Sequence, residues 1–421
     1  MKMATRDPIP ALPTQAKSGR TNRGSRTILA TAVVIPGLLG GIPGLGNFLV
    51  LPLMSNFHAS RGTVIFLIEM GWFGMYIASP IVGRVLLRIE PWMVMLFGTI
   101  AAGAAFLVAS SATTLGVAAA GYIIAQTLGF GCCGLLTSQT IIVRRFPEKL
   151  GVFSGTQTVA LAGMGVILTL IVAPSIVAYG WRMVVTVYAI VLLVVVPGLV
   201  LFVLRGRTVP KGPEKIPVEA TAVINAPPAG VPTMKQILAM PSFWLLVFAI
   251  VPVGILAQAI SVNVIPFYAE RGIDTRHAGT VLAGIGAAAA VGALSIGKIV
   301  SYANPAVVIA VIAAIAIAGM AVLSLNAGPP ALVFIIVYAA LSGVAPTLAV
   351  GVQRIFGNIA YAPILGLVGP FFLLSAFSGA GAGWLRDRLG DYQHVFGILG
   401  MLMVVSLLSA VALSRRPMAE Q

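Results

Sequence analysis

The chain contains few charged residues, few histidines and almost no cysteine. Charged residues make up 9% of its 421 residues, against roughly 25% in an ordinary soluble domain, so there is too little polar surface to enclose a soluble core. Two adjacent cysteines, Cys132 and Cys133, cannot staple distant segments by a disulfide. No cluster of His, Cys, Asp or Glu has the spacing of metal ligands. We therefore expect neither a metal nor a cofactor.

Hydrophobic residues, in contrast, account for 59% of the chain, and the mean hydropathy is +1.03. About twelve apolar runs are long enough to cross a bilayer as helices, and helices satisfy their own backbone hydrogen bonds in hydrocarbon. We predict an all-α integral membrane protein with twelve spans. They cover approximately residues 28–54, 63–83, 92–110, 115–140, 151–176, 183–204, 243–266, 278–297, 305–325, 331–352, 362–383 and 394–413.

The net charge of +15 follows from where the basic residues lie. If the N-terminus is cytoplasmic, 20 of the 26 bases fall on the inner side. The exceptions are Arg61, Arg182, Arg271, Arg276, Arg386 and Arg388. This asymmetry is typical of multi-pass membrane proteins and explains the charge without a nucleic-acid partner. It predicts that both termini are cytoplasmic. The composition, rich in Ala, Gly and Val, predicts an inner (plasma) membrane protein surrounded by lipid, and we expect a monomer.

One long polar segment divides the predicted spans into two sets of six. Residues 205–240 contain six prolines among scattered Lys and Glu, whereas every other connection is short. The predicted organisation is a cytoplasmic tail (1–26), a first six-helix bundle (27–204), a cytoplasmic linker (205–240), a second six-helix bundle (241–414) and a C-terminal tail (415–421).

A short motif occurs once in each predicted bundle. The sequence Gly83-Arg84-Val85-Leu86, followed by Pro91, is echoed by Gly297-Lys298-Ile299-Val300, followed by Pro305. The glycines and the prolines are offset by the same distance, about half the chain. Internal repeats of this kind are typical of secondary transporters. We predict a role in conformational gating for the motif residues Gly83, Arg84, Arg88, Gly297 and Lys298.

With this layout the chain resembles the major facilitator superfamily. The family signature between spans 2 and 3 is Gly-x-x-x-Asp-Arg-x-Gly-[Arg/Lys]; Gly83 and Arg88 match it, whereas Leu87 and Glu90 depart from it. The resemblance implies two bundles that rock about a site near the middle of the membrane. It also implies that spans 1, 4, 7 and 10 line the central cavity, with spans 2, 5, 8 and 11 beside them.

Further motifs resemble the branch of monocarboxylate carriers and oxalate/formate exchangers. They are Gly129-Phe130-Gly131, Arg145-Phe146-Pro147, Gly180-Trp181-Arg182, Ser242-Phe243-Trp244 and the segment from Gly383 to Tyr392. Carriers of that branch use a base deep in span 8, and sometimes in span 11, to bind the carboxylate. Here span 8 has no base before Lys298, and span 11 has no charge. The span-5 pattern of the drug-efflux branch is also missing from residues 151–176.

Span 2 carries an acid inside the membrane, Glu69. A charge at a helix centre costs about 2.5–3.5 kcal/mol on insertion scales, so it seldom persists without a use. Glu69, Trp72, Phe73 and Tyr76 have the spacing of one helical face. An acid on an aromatic face favours proton exchange or binding of a ring-bearing or cationic solute. The alternative is a structural carboxyl that is hydrogen-bonded to a neighbouring helix.

Polar residues near the middle of other spans are candidates for substrate binding. Singly, such amides and hydroxyls more often join helices, but as a set they are concentrated in the spans expected to line the cavity. They are Asn47 in span 1, Tyr122 and Gln126 in span 4, Gln157 in span 5, Gln258, Ser261 and Asn263 in span 7, and Tyr338 and Ser342 in span 10.

These features favour a carrier over a membrane enzyme or a channel. An enzyme needs a catalytic cluster, and a single intramembrane acid does not provide one; an oligomeric channel filter has no counterpart either. We predict a secondary transporter of a small organic solute, a monocarboxylate or aromatic acid, that works by alternating access with proton coupling. The alternative prediction is a proton-antiport exporter of amphipathic or cationic compounds.

Overall fold

The computed structural model describes residues 33–204, 232–273 and 275–416. The predicted N-terminal tail, most of the predicted linker (205–231) and residues 417–421 lie outside this part of the chain. Within it, every regular element is a helix. Ten helices are long and apolar enough to cross a membrane, as judged by length and composition of the described residues, so the chain is a multi-pass α-helical membrane protein.

Twelve helical segments follow the predicted order, and we number them α1–α12. They are α1 Gly41–Phe57, which follows helical residues 33–39, α2 Arg61–Arg88, α3 Pro91–Ser110, α4 Leu115–Arg145, α5 Leu150–Tyr179, α6 Trp181–Leu204, α7 Pro241–Glu270, α8 Thr275–Tyr302, α9 Pro305–Ser324, α10 Pro330–Phe356, α11 Tyr361–Leu389 and α12 Tyr392–Ser414.

Helix boundaries follow local chemistry. Helices α3, α7, α9 and α10 begin with proline, which suits the first helical position because its missing N–H has no partner there. The Ser60 hydroxyl caps α2 by accepting from the Thr63 N–H. Gly180 alone joins α5 to α6 with a φ of 81°, a left-handed conformation that glycine adopts without strain.

Several helices extend beyond the predicted apolar runs. Helix α2 continues to Arg88 and α8 to Tyr302, so the repeated Gly-base motifs lie in the last turns of helices and the connections are only residues 89–90 and 303–304. A short helix, Met234–Ala239, lies within the predicted linker and begins with a capping box formed by Thr233 and Gln236.

Two hydrophobic cores form the interior. One is built mainly from α1–α6 around residues such as Phe106 and Val185, and the other mainly from α7–α12 around Phe267 and Phe334. These are the two six-helix bundles, which we call the first and second bundle. In the second bundle, rings of Phe267, Phe334 and Phe396 meet edge to face at centroid distances of 5.3 to 5.7 Å, a favourable arrangement of aromatic quadrupoles.

Four segments are interrupted, and one of them, α6, contains the π-helical stretches Val191–Val195 and Val200–Leu204. Helix α4 contains a π-helical stretch, Ala125–Phe130, and a break at Gly134. Helix α10 is broken at Ser342 and Gly343. Helix α11 passes through a 3-10 turn, Gly369–Phe372, and a second turn at Phe377. Irregular backbone within a membrane span is tolerated where it is buried in protein or lines a cavity.

The bundles contact each other at one end of the molecule, which we call the linker end because α6 ends there and α7 begins there. On one side, α2 crosses α11: a methyl group added to Gly83 would come within 2.5 Å of the Ala362 carbonyl oxygen. One turn farther along, the Ser79 hydroxyl donates to the Gly366 carbonyl oxygen at 2.8 Å. Small residues therefore allow the two backbones to approach closely.

On the other side, α5 crosses α8 through the second copy of the motif. A methyl group at Gly297 would come within 2.5 Å of the Gly151 carbonyl oxygen, and Gly155 packs in the same way against the Ala293 carbonyl. The glycine of each repeated motif is thus the contact point of one crossing between bundles. The gating role of Gly83 and Gly297 stays a prediction, and both residues lie where the bundles are in contact. The bases Arg84, Arg88 and Lys298 are exposed at the linker end.

The repeat extends to two arginines. In the first bundle Arg144, at the end of α4, donates to the Leu86 carbonyl oxygen at the end of α2. In the second, Arg354, at the end of α10, donates to the Ser301 and Ala303 carbonyl oxygens around the end of α8. Each guanidinium satisfies helix-terminal carbonyls that have no intrahelical partner.

Polar contacts complete the closure of the linker end. The buried Tyr361 hydroxyl donates to Gln139 Oε1 at 3.2 Å, and Gln353 Nε2 donates to the Pro147 carbonyl oxygen at 3.2 Å. At the other end, the halves of α10 and α11 formed by Pro330–Leu341 and Ser378–Leu389 pack extensively only within their own bundle. The bundles are therefore closed together at the linker end and separated at the opposite end.

Candidate substrate site

A cavity of about 420 Å³ lies between the two bundles, midway along the helices. We call it the polar cavity because Glu69, Gln258, Tyr338 and Ser375 contribute polar groups to it. These groups come from α2, α7, α10 and α11, so both bundles build its walls. Its size falls in the range of small-molecule sites.

Glu69 is the one acid among the described residues that line the polar cavity. It lies two turns into α2, opposite the midpoint of α7, and it is partly buried. None of the described ion pairs involves it, and none of the described lining residues is Lys, Arg or His. A carboxylate without a basic partner can hold either a proton or a cationic group of a ligand.

Four rings form an aromatic row beneath Glu69, and the row crosses from one bundle to the other. Trp72 stacks on Tyr76 at a centroid distance of 6.1 Å, and Tyr76 stacks on Phe372 of the second bundle at 6.3 Å. Phe130 meets Trp72 edge to face at 6.1 Å. Trp72, Tyr76 and Phe372 line the polar cavity on the side that faces the linker end. Their faces can interact with a cation or with a ring.

Ser375 is a lining residue that the sequence did not indicate. Its side chain is only 7% exposed, its hydroxyl has no hydrogen-bond partner among the described residues, and it lies close to Gly254 of α7. A buried hydroxyl without a partner loses its hydration, so it is available to a ligand in the cavity. Ser375 reaches the cavity where α11 is interrupted, and the apolar runs of the sequence do not reveal that interruption.

The structure brings together five of the predicted site residues. Glu69, Trp72, Tyr76, Gln258 and Tyr338 all line the polar cavity. Phe73 does not: it is 39% exposed and lines none of the described cavities. The four residues of the predicted face cover a wide sector of the helix surface. Phe73 lies at one edge of this sector, and that edge points away from α7 and α11.

Two candidates in α4 lie inside the first bundle instead. The Tyr122 hydroxyl donates to the Ile42 carbonyl oxygen at 3.2 Å and joins α4 to α1. Gln126 is 0% exposed and packs on the backbone of Gly71 in α2. Neither lines the polar cavity: Gln126 packs on the side of α2 that carries Gly71, whereas the side with Glu69 faces the cavity.

Three further candidates have local or interior positions. Gln157 is fully buried in α5. The Ser261 hydroxyl donates to the Gln258 carbonyl oxygen at 3.0 Å, and the Ser342 hydroxyl donates to the Ala339 carbonyl oxygen at 2.7 Å, each within its own helix. None of them is among the described lining residues of the cavity. Asn47 lies in α1, and its side chain is outside the described part of the chain.

Asn263 joins three helices of the second bundle and does not line the cavity. Its Nδ2 donates to the carbonyl oxygens of Ala259 and Gly379 at 2.9 and 3.0 Å, and its Oδ1 accepts from the Tyr392 hydroxyl at 3.0 Å. The predicted binding role is wrong for this geometry, because every polar atom of the amide already has a partner in α7, α11 or α12.

We expect Asn263→Ala to lower the stability of the protein without changing ligand affinity. The substitution removes the partner of the buried Tyr392 hydroxyl, at a cost of about 1–3 kcal/mol. Thermal unfolding of the purified protein in detergent measures the loss. Ile265→Val, at a 37% exposed position of the same helix, is the control and should unfold like the wild type. If Asn263→Ala instead left the stability unchanged and abolished ligand binding, Asn263 would be a binding residue after all.

Comparisons with known proteins agree with this architecture. Residues 29–362 match the family model described as Major Facilitator Superfamily. No curated protein sequence matches the chain significantly. Among solved structures, the transporter FucP in the outward conformation aligns with a TM-score of 0.71 at 15% identity, covering 94% of this chain and 100% of FucP. FucP is described as the E. coli fucose:proton symporter.

Two other solved structures are similar. A bacterial homologue of the iron transporter ferroportin, in its outward-facing state, aligns with a TM-score of 0.73 at 13% identity and covers 92% of this chain and 100% of its own. The human organic anion transporter MFSD10 aligns with a TM-score of 0.65 at 13% identity and covers 91% of this chain and 99% of its own. At these identities the likeness shows the fold alone.

The chain belongs to the Major Facilitator Superfamily, because the family model matches well over half of its length. The two bundles, the interrupted helices and the cavity between the bundles are those of a membrane transporter rather than an enzyme. The arrangement is suited to secondary transport, in which a solute binds between the bundles and is released on the other side.

Proposed function

We propose that the protein exchanges protons for a small cationic organic solute at Glu69. Two bundles closed at the linker end and open at the opposite end leave the polar cavity accessible from one side only. If the linker is cytoplasmic, as the charge distribution predicts, this is the outward-facing state. Closure at the other end would then expose Glu69 to the cytoplasm.

The observation that carries the proposal is the charge of the cavity. Glu69 is acidic, and no described lining residue is basic. An ammonium group above Trp72 and Tyr76 would be attracted both by the Glu69 carboxylate and by the faces of the two rings. A carboxylate ligand would instead be repelled by the like charge of Glu69. The site therefore favours the second of the two substrate classes that the sequence predicts, the cationic or amphipathic compounds.

The first class, a monocarboxylate or aromatic acid, requires a proton at the site. Uptake of an organic anion here would need Glu69 to be protonated, or the acid to enter in its neutral form. Binding of an acid would then strengthen as the pH falls, the opposite of a cation that competes with protons for the same carboxylate. The two substrate classes are thus distinguished by the sign of the pH dependence.

The proposal predicts a charge preference among three probes that share one ring. Benzyltrimethylammonium, benzyl alcohol and phenylacetate would be titrated by calorimetry into the purified protein at pH 7.5 and pH 5.0. We expect benzyltrimethylammonium to bind most tightly at pH 7.5, and its affinity to fall at pH 5.0 because protons compete for Glu69. Phenylacetate should bind least.

Tighter binding of phenylacetate at pH 5.0 than of the ammonium probe at pH 7.5 would overturn the cation proposal. That outcome would support proton-coupled transport of an organic acid instead. Tyr76 and Tyr338 also line the cavity, but a phenol stays neutral over this pH interval. A pH effect between 5.0 and 7.5 therefore reports on the carboxyl group.

A further inference from the structure

A second cavity lies on the other side of the aromatic row. It has a volume of about 350 Å³ and lies closer to the linker end. We call it the apolar chamber. Leu135 and Leu136 of α4, Leu161 of α5 and Leu348 of α10 form much of its wall. Both bundles contribute, so the chamber lies on the same axis between the bundles as the polar cavity.

The chamber is lined mainly by apolar groups, and its one aliphatic hydroxyl already donates a hydrogen bond within the protein. Ser79 donates that hydroxyl to the Gly366 carbonyl oxygen at 2.8 Å. Water needs two or more polar partners to stay in a cavity, and apolar cavities of this kind remain dry and bind hydrocarbon or benzene. The volume is sufficient for a small ring or a short alkyl chain.

The two cavities share three ring side chains. Trp72, Tyr76 and Phe372 line both of them, so the aromatic row is a common wall one ring thick. Tyr76 and Phe372 come from opposite bundles and are stacked rather than hydrogen-bonded across the gap. Rotation of one ring between its side-chain rotamers would join the polar cavity to the apolar chamber.

The interruptions of three helices converge on the chamber. Gly131 and Leu135 lie on either side of the break in α4, Val344 follows the break in α10, and Gly369 begins the 3-10 turn of α11. Discontinuous helices are where transporters of this architecture bind their solutes. The chamber therefore lies where three of the helices are interrupted and can bend most easily.

We propose that the apolar chamber binds the apolar end of an amphipathic cation whose ammonium group lies at Glu69. The substrate then spans the aromatic row, with its charged end in the polar cavity and its ring or alkyl end in the chamber. This inference rests on the proposed function, and it narrows the substrate class to organic cations with an extended apolar tail. The chamber sets the length of that tail.

Gly131 offers a direct way to fill the chamber. It lines the chamber in a helical conformation, with φ −63° and ψ −45°, so any residue can adopt its backbone. A methyl group there would meet only Met75 Cγ, at 3.7 Å. Gly131→Leu therefore places a side chain in the chamber without a backbone clash. Gly116→Leu is the matched control, since Gly116 lies in the same segment with nothing within 4 Å of an added methyl.

The test compares two probes with one charge and different tails. Benzyltrimethylammonium and (4-phenylbutyl)trimethylammonium would be titrated by calorimetry into the full-length protein. We expect the longer probe to bind wild type and Gly116→Leu about tenfold more tightly or better, because its added methylenes are buried. In Gly131→Leu this advantage should disappear, whereas the affinity for benzyltrimethylammonium should stay within about twofold of the wild type.

Equal affinities of the two probes for the wild type would overturn this inference and leave the proposed function standing. Equal weakening of both probes in Gly131→Leu would overturn it as well. Failure of both probes to bind the wild type would overturn the proposed function itself. If Gly131→Leu does not fold, Ala345→Leu fills the chamber from α10 and is judged by the same comparison.

Discussion

Replacement of Glu69 by Gln is expected to abolish proton-driven movement of a cation while leaving the fold intact. Gln keeps the size and a hydrogen-bonding carbonyl but can neither release a proton nor balance a positive charge. In vesicles with a pH gradient of one unit, exchange of one proton per cation supports a cation gradient of about tenfold. In Glu69→Gln this gradient should fall to about one, as measured with radiolabelled benzyltrimethylammonium.

Glu69→Asp is the matched control. It retains the carboxylate at a slightly shorter reach, so it should exchange at a reduced rate but reach the same final gradient. Because the probe has a permanent charge, it does not cross the bilayer as a neutral base. Full gradient formation by Glu69→Gln, with normal thermal stability, would remove Glu69 from the coupling mechanism and leave it as a structural carboxyl.

The second large effect is expected at the crossing of α2 and α11. A methyl group at Gly366 would come within 2.6 Å of the Ser79 carbonyl oxygen, and the obstacle is backbone that cannot rotate away. We expect Gly366→Leu to separate the bundles at the linker end and to shift the conformational equilibrium away from the state described here by about tenfold or more. Transport should be lost, because the linker end can no longer close.

Spin labels across the linker end would measure this shift. Ile89, after α2, and Ile359, before α11, are 43% and 68% exposed and can be replaced by labelled cysteines. The native Cys132 and Cys133 are buried and should not compete for the label. Gly381→Leu in the same segment is the control, since nothing lies within 4 Å of an added methyl there. An unchanged distance distribution in a folded Gly366→Leu protein would contradict the closure described here.

The sequence predicted the fold because its signals are strong and local. Long apolar runs placed all twelve helical segments, although α2 and α8 continue well past their apolar runs. The repeat at Gly83 and Gly297 was predicted to act in gating, and its glycines lie where the bundles meet. The contact is made by the glycines, however, and not by the bases that follow them, because close packing of backbones depends on the absence of a side chain.

The candidate site was predicted in part. Glu69, Trp72 and Tyr76 were identifiable because a membrane acid is costly and the helical period groups the rings on one face. Tyr122, Gln126 and Asn263 could not be separated from binding residues, since an amide or hydroxyl that joins helices has the same sequence signature as one that binds a ligand. Ser375 depends on the bending of α11, which is a property of the packed structure.

The two crossings between bundles are related by the repeat but differ in stiffness. At one, α5 meets α8, and both are continuous α-helices of 30 and 28 residues. At the other, the continuous α2 meets α11, which is divided at Gly369 and again at Phe377. Bending is easier where the hydrogen-bond ladder is already broken. The α5–α8 crossing can therefore act as a rigid pivot, while α11 bends at its two interruptions. A symmetric sequence repeat then gives an asymmetric opening movement.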